Sequence, residues 1–492
     1  MRLSILFGGR AGQGPNVIAT IISKILVERG CYVFLSREYE SLIRGGHNYN
    51  ILTVSDKEIY SNDIKYDVLI ALDDKTITVH KGELNKGCII ISEKKGNMYF
   101  AGRLMKILGL EFDLLKKELK ELGNFEGNLE DAKEGYLQGE KVYDFKLRKN
   151  KDGFFTGSRK IAEGAVKSGL DLYYAYPMTP ATPVLSELAG MQEEHNFLAI
   201  ELENEISVIN TALGSAMTGA KSMVGTSGGG YDLMTEALSM SGISEIPLVV
   251  YLAQRPGPAS GVATKTGQGD LNIARYGGHG EFPRVVVAPG DPIEAEEVVS
   301  QLFYLTQKYK FPGILLGDKH LSESFYTMKE NAKITKSGKL TKFKRYNSYE
   351  HLPDGTYTED PKEVERMVKL RIEKFTTIKK DVERFQMYKV YGKQNSKNVI
   401  VSWGSTKGAI LDATKELNCK FIHILYLEPF PEKIKKELKG KNVIVVENNA
   451  TSPLSSLISE KTQILVKNKI LKYNGQPFYK EELMKEIKRK LK

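Results

Sequence analysis

Short apolar runs recur along this chain, each entering a glycine- or proline-rich turn and then a stretch with helical spacing. Runs of that length read as strands buried on both faces, and their alternation with helices requires sheets sandwiched between helical layers. Such runs stand at residues 3–7, 31–35, 67–71 and 88–91, with a helix expected over 16–29. They predict a first α/β domain over residues 1–150 with a largely parallel sheet, left through a charged stretch at 131–152. A second series, at 172–174, 199–202, 222–225, 247–251, 284–288 and 313–317, predicts another α/β domain over 151–330. Residues 331–395 read as a charged, strand-poor linker with one long helix at 361–386. Runs at 399–402, 421–425 and 443–447 predict a smaller α/β domain over 396–492. The expectation is three α/β domains in a row.

Composition narrows the class. At 492 residues the chain exceeds one core, and 41% hydrophobic with 27% charged residues is ordinary for a globular enzyme. No stretch approaches the roughly 20 apolar residues that span a bilayer, so no membrane partner and a cytoplasmic location are expected. Cys31, Cys88 and Cys419 form no C-x-x-C pair, which suits a reducing compartment and is short of the four thiolates of an iron–sulfur cluster. The net charge of +10 is spread over scattered lysines rather than a basic strip interleaved with aromatics. A solvated surface, not a nucleic-acid site, is the reading, with an acidic redox carrier as the partner such charge would favour.

Several loops carry chemistry. Gly8-Gly9-Arg10-Ala11-Gly12-Gln13-Gly14 lies between a strand and a helix, where backbone N–H groups meet anions. Its spacing is neither the G-x-G-x-x-G dinucleotide fingerprint nor a phosphate loop ending in Gly-Lys-Ser/Thr, and a purely structural turn fits it equally. Downstream, Arg37-Glu38-Tyr39-Glu40-Ser41-Leu42-Ile43-Arg44-Gly45-Gly46-His47-Asn48 is more distinctive. Tyr176-Pro177-Met178-Thr179-Pro180 is a rigid turn after a strand, and Glu205 opens a helix rich in small residues after Glu201-Leu202-Glu203-Asn204. Thr226-Ser227-Gly228-Gly229-Gly230 and Gln254-Arg255-Pro256-Gly257-Pro258 each follow a strand, where ligands of α/β sheets bind. An arginine wedged in such a proline- and glycine-fixed loop is a natural bidentate partner for a carboxylate.

Taken in order, these runs resemble the 2-oxoacid:ferredoxin oxidoreductases, specifically an alpha subunit with a fused N-terminal gamma domain. The resemblance is carried by the G-G-x-A-G-Q-G loop, the R-E-Y-x-S-x-x-R-G-G-H-N run, Tyr-Pro-Met-Thr-Pro for Y-P-I-T-P, and the T-S-G-G-G loop. Lys265-Thr266-Gly267-Gln268-Gly269-Asp270-Leu271 and Gly277-Gly278-His279-Gly280-Glu281-Phe282-Pro283 complete it. It implies a thiamine-pyrimidine domain at 151–330 and a transketolase C-terminal-like domain at 396–492. It implies that Glu205 faces the aminopyrimidine of thiamine diphosphate, matching the family glutamate by its spacing to Gly214 and Gly219-Ala220. It gives Thr179 and Arg255 the substrate carboxylate, and places Tyr176, Pro177, Thr226, Ser227 and Gly228 beside the cofactor. It places Gly12, Gly14 and Arg44 near coenzyme A. No G-D-G…N signature is present, so a beta subunit is expected to bring Mg2+, the pyrophosphate half of the site and a [4Fe-4S] cluster, with no metal held here and ferredoxin as acceptor. The expected activity is oxidative decarboxylation of a 2-oxoacid to acyl-CoA and CO2. A nicotinamide-dependent dehydrogenase and a non-catalytic assembly subunit are the alternatives. Three departures stand out: Met178, Gly267 where the family has glutamate, and Ser452-Pro453-Leu454 where it has Gly-Gln-Leu. His279 reads as a turn residue rather than a proton shuttle.

Overall fold

The computed structural model describes residues 1–40, 45–145, 152–340 and 344–491. They form three sheets between helices, within two compact units. The α/β class expected from the alternating pattern holds.

The first unit comprises Met1–Phe155, Ser324–Glu330 and Tyr479–Met484. Its seven-stranded sheet runs in the order Leu84–Ile91, Tyr66–Ala71, Arg2–Arg10, His47–Ser55, Tyr32–Glu38, Phe325–Met328, Gly153–Thr156. The expected helix is present at Pro15–Glu28, with proline at its start and Ile18, Ile21, Ile22, Ile25 and Leu26 buried at helical spacing. The expectation of a largely parallel sheet is corrected. Arg2–Arg10 pairs in parallel with Tyr66–Ala71, but His47–Ser55 runs antiparallel to both Arg2–Arg10 and Tyr32–Glu38. Gly45 and Gly46, both at positive φ, precede this returning strand. The segment expected as an exit linker begins inside a helix, Phe125–Gln138.

The second unit, Thr156–Glu323, Asn331–Phe478 and Lys485–Lys492, holds the other two sheets. The larger runs in the order Tyr426–Glu428, Val285–Val287, Pro312–Asp318, Leu248–Gln254, Ser222–Thr226, Leu172–Ala175, Leu198–Glu201. All its neighbours are parallel except the edge strand Tyr426–Glu428. Period-two alternation divides its side chains between two cores. Val224, Val250 and Leu252 pack under the helices Glu205–Met217 and Gly228–Ser244, while Met223, Val249 and Tyr251 pack under Gly157–Lys167, Thr182–Met191 and Pro292–Tyr309. Each such fully buried aliphatic side chain contributes about 1.5–3 kcal/mol. The third sheet runs Tyr388–Gly392, Lys420–Ile424, Asn398–Trp403, Asn442–Glu447, Asn468–Leu471. Its first strand lies in the stretch read as strand-poor, where Tyr388–Gly392 pairs antiparallel with Lys420–Ile424.

Candidate functional site

Strand order dictates where the second unit can bind a ligand. Leu172–Ala175 lies between Ser222–Thr226 and Leu198–Glu201. The helix after Leu172–Ala175 packs on one face and the helix after Ser222–Thr226 on the other. That divergence is a topological switch point, and the crevice beyond its carboxyl ends is where ligands of open α/β sheets sit. The loops carrying Thr179, Glu205, Thr226-Ser227-Gly228 and Arg255 all leave from the carboxyl ends of the four neighbouring strands.

Glu205 is the first residue of its helix, which Asn204 caps by accepting the Ser207 N–H at 2.9 Å. The cap fixes where the carboxylate points. It is 4% exposed, and its Oε1 has no hydrogen-bond partner. Gly230 makes room for it: a Cβ there would lie 2.6 Å from Glu205 Cγ and 2.7 Å from Oε1. Thr226 and Ser227 are fully buried, and Ser227 precedes the helix Gly228–Ser244 without capping it, leaving its Oγ unpaired.

Arg255 and Thr179 meet across 76 residues of sequence: Arg255 Nη1 donates to the Thr179 carbonyl at 2.8 Å. Burial weighs against the guanidinium charge and lowers its pKa, although Asp270 and then Glu205 favour that charge. Arg255 Nε is buried without a partner. Tyr176 and Pro177 occupy the exposed part of the Thr179 loop. Four polar atoms therefore stand buried and unpaired around this crevice: Glu205 Oε1, Ser227 Oγ, Arg255 Nε and Asp270 Oδ2. Isolated groups of this kind are costly, and a cluster of them is what a polar ligand would satisfy.

Two polar residues near the crevice carry no assignment from the sequence, although the Lys265–Leu271 run stands out there. The first is Asp270, whose backbone N–H donates to Gln254 Oε1 at 3.0 Å, one residue from Arg255. Burial, reinforced by Asp232, pushes its carboxyl up to about 6 against the pull of Arg255. The second is Gln268, fully buried, which joins the two sheets of the unit. It donates to the Trp403 carbonyl at 3.0 Å, accepts the Asn448 N–H at 2.9 Å, and its own N–H donates to Asn448 O at 2.8 Å. Gly267 packs against Pro256, and His279 sits in an exposed turn with its N–H on Ser239 Oγ.

In the first unit the glycine loop borders a cavity of about 860 Å³ whose lining includes Arg10, Gln13, Asp73, Lys75 and Lys95. Gly12 and Gly14, at φ 92° and 85°, shape the turn rather than line the cavity. Gln13 ties the loop down, accepting the Arg10 N–H at 2.6 Å and donating to Leu72 O at 3.2 Å. Arg44 lies outside the described residues.

The chain matches two family profiles. Residues 4–125 match "Pyruvate ferredoxin/flavodoxin oxidoreductase", and residues 163–389 match "Pyruvate flavodoxin/ferredoxin oxidoreductase, thiamine diP-bdg". This chain belongs to the 2-oxoacid:ferredoxin oxidoreductase family. It is 28% identical to the 2-oxoacid:ferredoxin oxidoreductase subunit alpha of Sulfolobus sp, with 98% of this chain and 96% of the relative covered. It is likewise 28% identical to the alpha subunit of Saccharolobus solfataricus, with 99% and 98% covered. The first of these alignments spans 609 positions against 492 residues here, so that relative carries inserted segments. Among solved structures, the 2-oxoglutarate:ferredoxin oxidoreductase of Magnetococcus marinus, with 2-oxoglutarate, coenzyme A and succinyl-CoA bound, shares the fold over the full length of both chains. Its TM-score is 0.90 at 24% identity.

Proposed function

We infer that this chain is the alpha subunit of a thiamine-diphosphate-dependent 2-oxoacid:ferredoxin oxidoreductase, converting a 2-oxoacid, coenzyme A and oxidised ferredoxin into acyl-CoA, CO2 and reduced ferredoxin. The observation that carries the reading is the buried, unpaired Glu205 carboxylate at the switch point, with Gly230 leaving space beside it. A ring nitrogen offered to that oxygen would satisfy it, so the residues fit the aminopyrimidine of the cofactor. Bound thiamine diphosphate supplies the electron sink for decarboxylation.

The chain's own residues then hold and shield. Glu205 shares a proton with the pyrimidine N1′, a role that requires the water-excluded setting it has. Thr226, Ser227 and Gly228 form the wall on which the cofactor lies. Arg255, pinned by the Thr179 carbonyl, presents its remaining donors to the substrate carboxylate, and the Thr179 hydroxyl adds a neutral hydrogen bond. Tyr176 and Pro177 border the cofactor from the exposed side. The cavity beside the glycine loop is the proposed coenzyme A region, supported by Arg10, Lys75, Lys94 and Lys95 in a lining that also carries Asp73, Asp74 and Glu93.

The partners follow from what the chain does not carry. A cluster of four thiolates cannot be built from three cysteines, and the Mg2+–pyrophosphate signature is missing, so a beta subunit provides both. Ferredoxin is the proposed electron acceptor. No helix among the described residues is long and apolar enough to cross a membrane. A reducing, cytoplasmic setting is proposed from the three cysteines, none of which is in a disulfide among the described residues. The dehydrogenase and assembly-subunit alternatives are not favoured, because the family match covers both units and the site keeps its polar groups.

The test is co-purification with the beta subunit and a panel of 2-oxoacids assayed with a viologen dye. Glu205→Gln in that complex should slow C2 proton exchange of bound thiamine by about 10²–10⁴-fold while substrate binding changes little. Exchange at the wild-type rate moves the role to another carboxylate, and a complex inert towards every 2-oxoacid overturns the assignment.

A further inference from the structure

We propose that Asp270 is a positioning residue for the substrate: its carboxyl group sets how strongly Arg255 holds the 2-oxoacid carboxylate, loosening the hold when ionised and tightening it when protonated. The proposal rests on the function inferred above and adds a residue to that site.

Asp270 occupies a place where aspartate ordinarily has a structural task. It immediately precedes the helix Leu271–Tyr276, a position at which an aspartate side chain usually accepts a first-turn N–H. Here it makes no such bond, and its Oδ2 is buried without any partner. The side chain lies instead over the start of the helix Gly228–Ser244, where a Cβ on Gly228 would come within 2.8 Å of Oδ2. Its backbone is tied to the site from the other direction, through the bond from its N–H to Gln254 Oε1. Gln254 is itself fully buried and anchored, donating to the Gly317 carbonyl at 3.0 Å. Arg255 follows it directly. Gln254 therefore holds the arginine and the carboxyl group in a common frame.

The charged groups around this pair are few. Asp232, on the helix Gly228–Ser244, acts on Asp270, and Glu205, from its own helix, acts on Arg255. Burial and Asp232 outweigh Arg255 and place the Asp270 carboxyl at about 6, so it changes charge just below neutral pH. The carboxylate of a 2-oxoacid stays ionised throughout that range. Above the transition the ionised Asp270 competes with it for the guanidinium; below it, the full charge of Arg255 is free for the substrate. The sign is fixed: KM for the 2-oxoacid should rise with pH through about 6 and level off above it.

The experiment uses the complex with the beta subunit, measuring kcat and KM for a good 2-oxoacid between about pH 5.5 and 8.5 in wild type, Asp270→Asn and Asp270→Glu. A coupling of one pKa unit corresponds to tenfold in affinity. Asp270→Asn should thus lower KM at pH 8 by roughly three- to thirtyfold and flatten its pH dependence, with kcat within about threefold of wild type. Asp270→Glu should restore the slope. If Asp270→Asn does not assemble, Asp270→Ser, equally uncharged and smaller, should give the same flat profile. A KM that rises with pH in the uncharged variants as it does in wild type, or that is unchanged or raised at pH 8, overturns the proposal. So does a wild-type KM with no pH dependence. A wild-type complex that turns over no 2-oxoacid overturns the functional reading along with it, whereas an active complex indifferent to Asp270 overturns this inference alone.

Discussion

Replacing Gly230 by alanine should disable the site by displacing Glu205, at small cost in stability. The added methyl would stand 2.2 Å from Thr226 Oγ1, 2.6 Å from Glu205 Cγ and 2.7 Å from Glu205 Oε1. Carbon atoms pack at about 3.5–4.0 Å. The Glu205 side chain must therefore retreat by about 1 Å, because Thr226 is fully buried and has little room to yield. Two stability effects oppose each other. Alanine in a helix interior is better than glycine by about 0.8–1 kcal/mol, while crowding a packed interior costs about 1–3 kcal/mol. The net loss should be about 0–2 kcal/mol, a fall in Tm of at most about 8 °C at the usual 2–4 °C per kcal/mol. Function responds differently, since a misplacement of about 1 Å of a group near the chemistry can cost about 10²-fold.

The assay is kcat and C2 proton exchange in the complex with the beta subunit, alongside thermal unfolding. Gly229→Ala is the control. It adds the same methyl one residue earlier in the same helical turn, where the nearest atom is the Ala259 carbonyl at 3.9 Å. The expected result is a drop of about 10²-fold in exchange and turnover for Gly230→Ala and near wild-type behaviour for Gly229→Ala. If Gly230→Ala exchanges within about threefold of wild type, or Gly229→Ala falls equally far, the placement of Glu205 against this helix is not what the reaction depends on.

Four further expectations follow. Arg255→Ala should lose about 30-fold or more in kcat/KM, since removing one partner of a buried charge pair costs about 2–5 kcal/mol. Arg255→Lys should keep the charge yet still lose activity, because an ammonium cannot reproduce the planar two-point contact. Thr179→Val should lose about 0.5–1.5 kcal/mol, as the Arg255 bond is to its carbonyl rather than its hydroxyl, and non-additive losses in the double variant would show that both residues hold one carboxylate. Burial alone would raise the Glu245 carboxyl, but Lys374 and Lys344 outweigh it and hold it at about 2, so its stabilisation is present above pH 4.5 and lost as pH falls towards 2. Glu245→Gln should cost about 2 kcal/mol in urea unfolding at pH 7, discounted for the pair's partial exposure, and almost nothing at pH 2. Purified without its partner, the chain should be colourless and iron-free; a brown preparation of this chain alone would refute the two-subunit assignment.

Local pattern made most strands of the second unit readable, because a strand buried on both faces is a continuous apolar run with a loop at each end. The same logic located the loops that carry Thr179, Glu205, Ser227 and Arg255, while the roles expected of those residues come from the family resemblance. What local pattern does not encode is partnership. His47–Ser55 was missed because its opening residues read as part of a loop motif, and nothing in them announces that the chain turns back between two strands already placed. Phe325–Met328 was missed because it completes a sheet whose other strands lie far earlier in the sequence, pairing with Tyr32–Glu38.

The Lys265–Leu271 run shows the limit most clearly, since its residues divide their tasks in a way only contacts can reveal. Gln268 and Asp270 are separated by one glycine, and in sequence both look like polar residues of a ligand loop. In the fold, Gln268 is fully buried with its amide nitrogen and oxygen both bonded, to Trp403 O and Asn448 N–H. Asp270 has a carboxyl oxygen engaged by nothing. A polar side chain with its bonds made holds the scaffold together, and one buried in a ligand crevice with a bond unmade is open to a ligand. By that criterion Gln254 is also scaffold, its oxygen on Asp270 N–H and its nitrogen on Gly317 O, although it stands next to Arg255. The departure at Gly267 then falls on the scaffold side of the run: it lies against Pro256 and leaves Arg255, Asp270 and Glu205 in place. Substituting the family's glutamate there should therefore crowd the Pro256 loop before it changes the charge that the substrate meets.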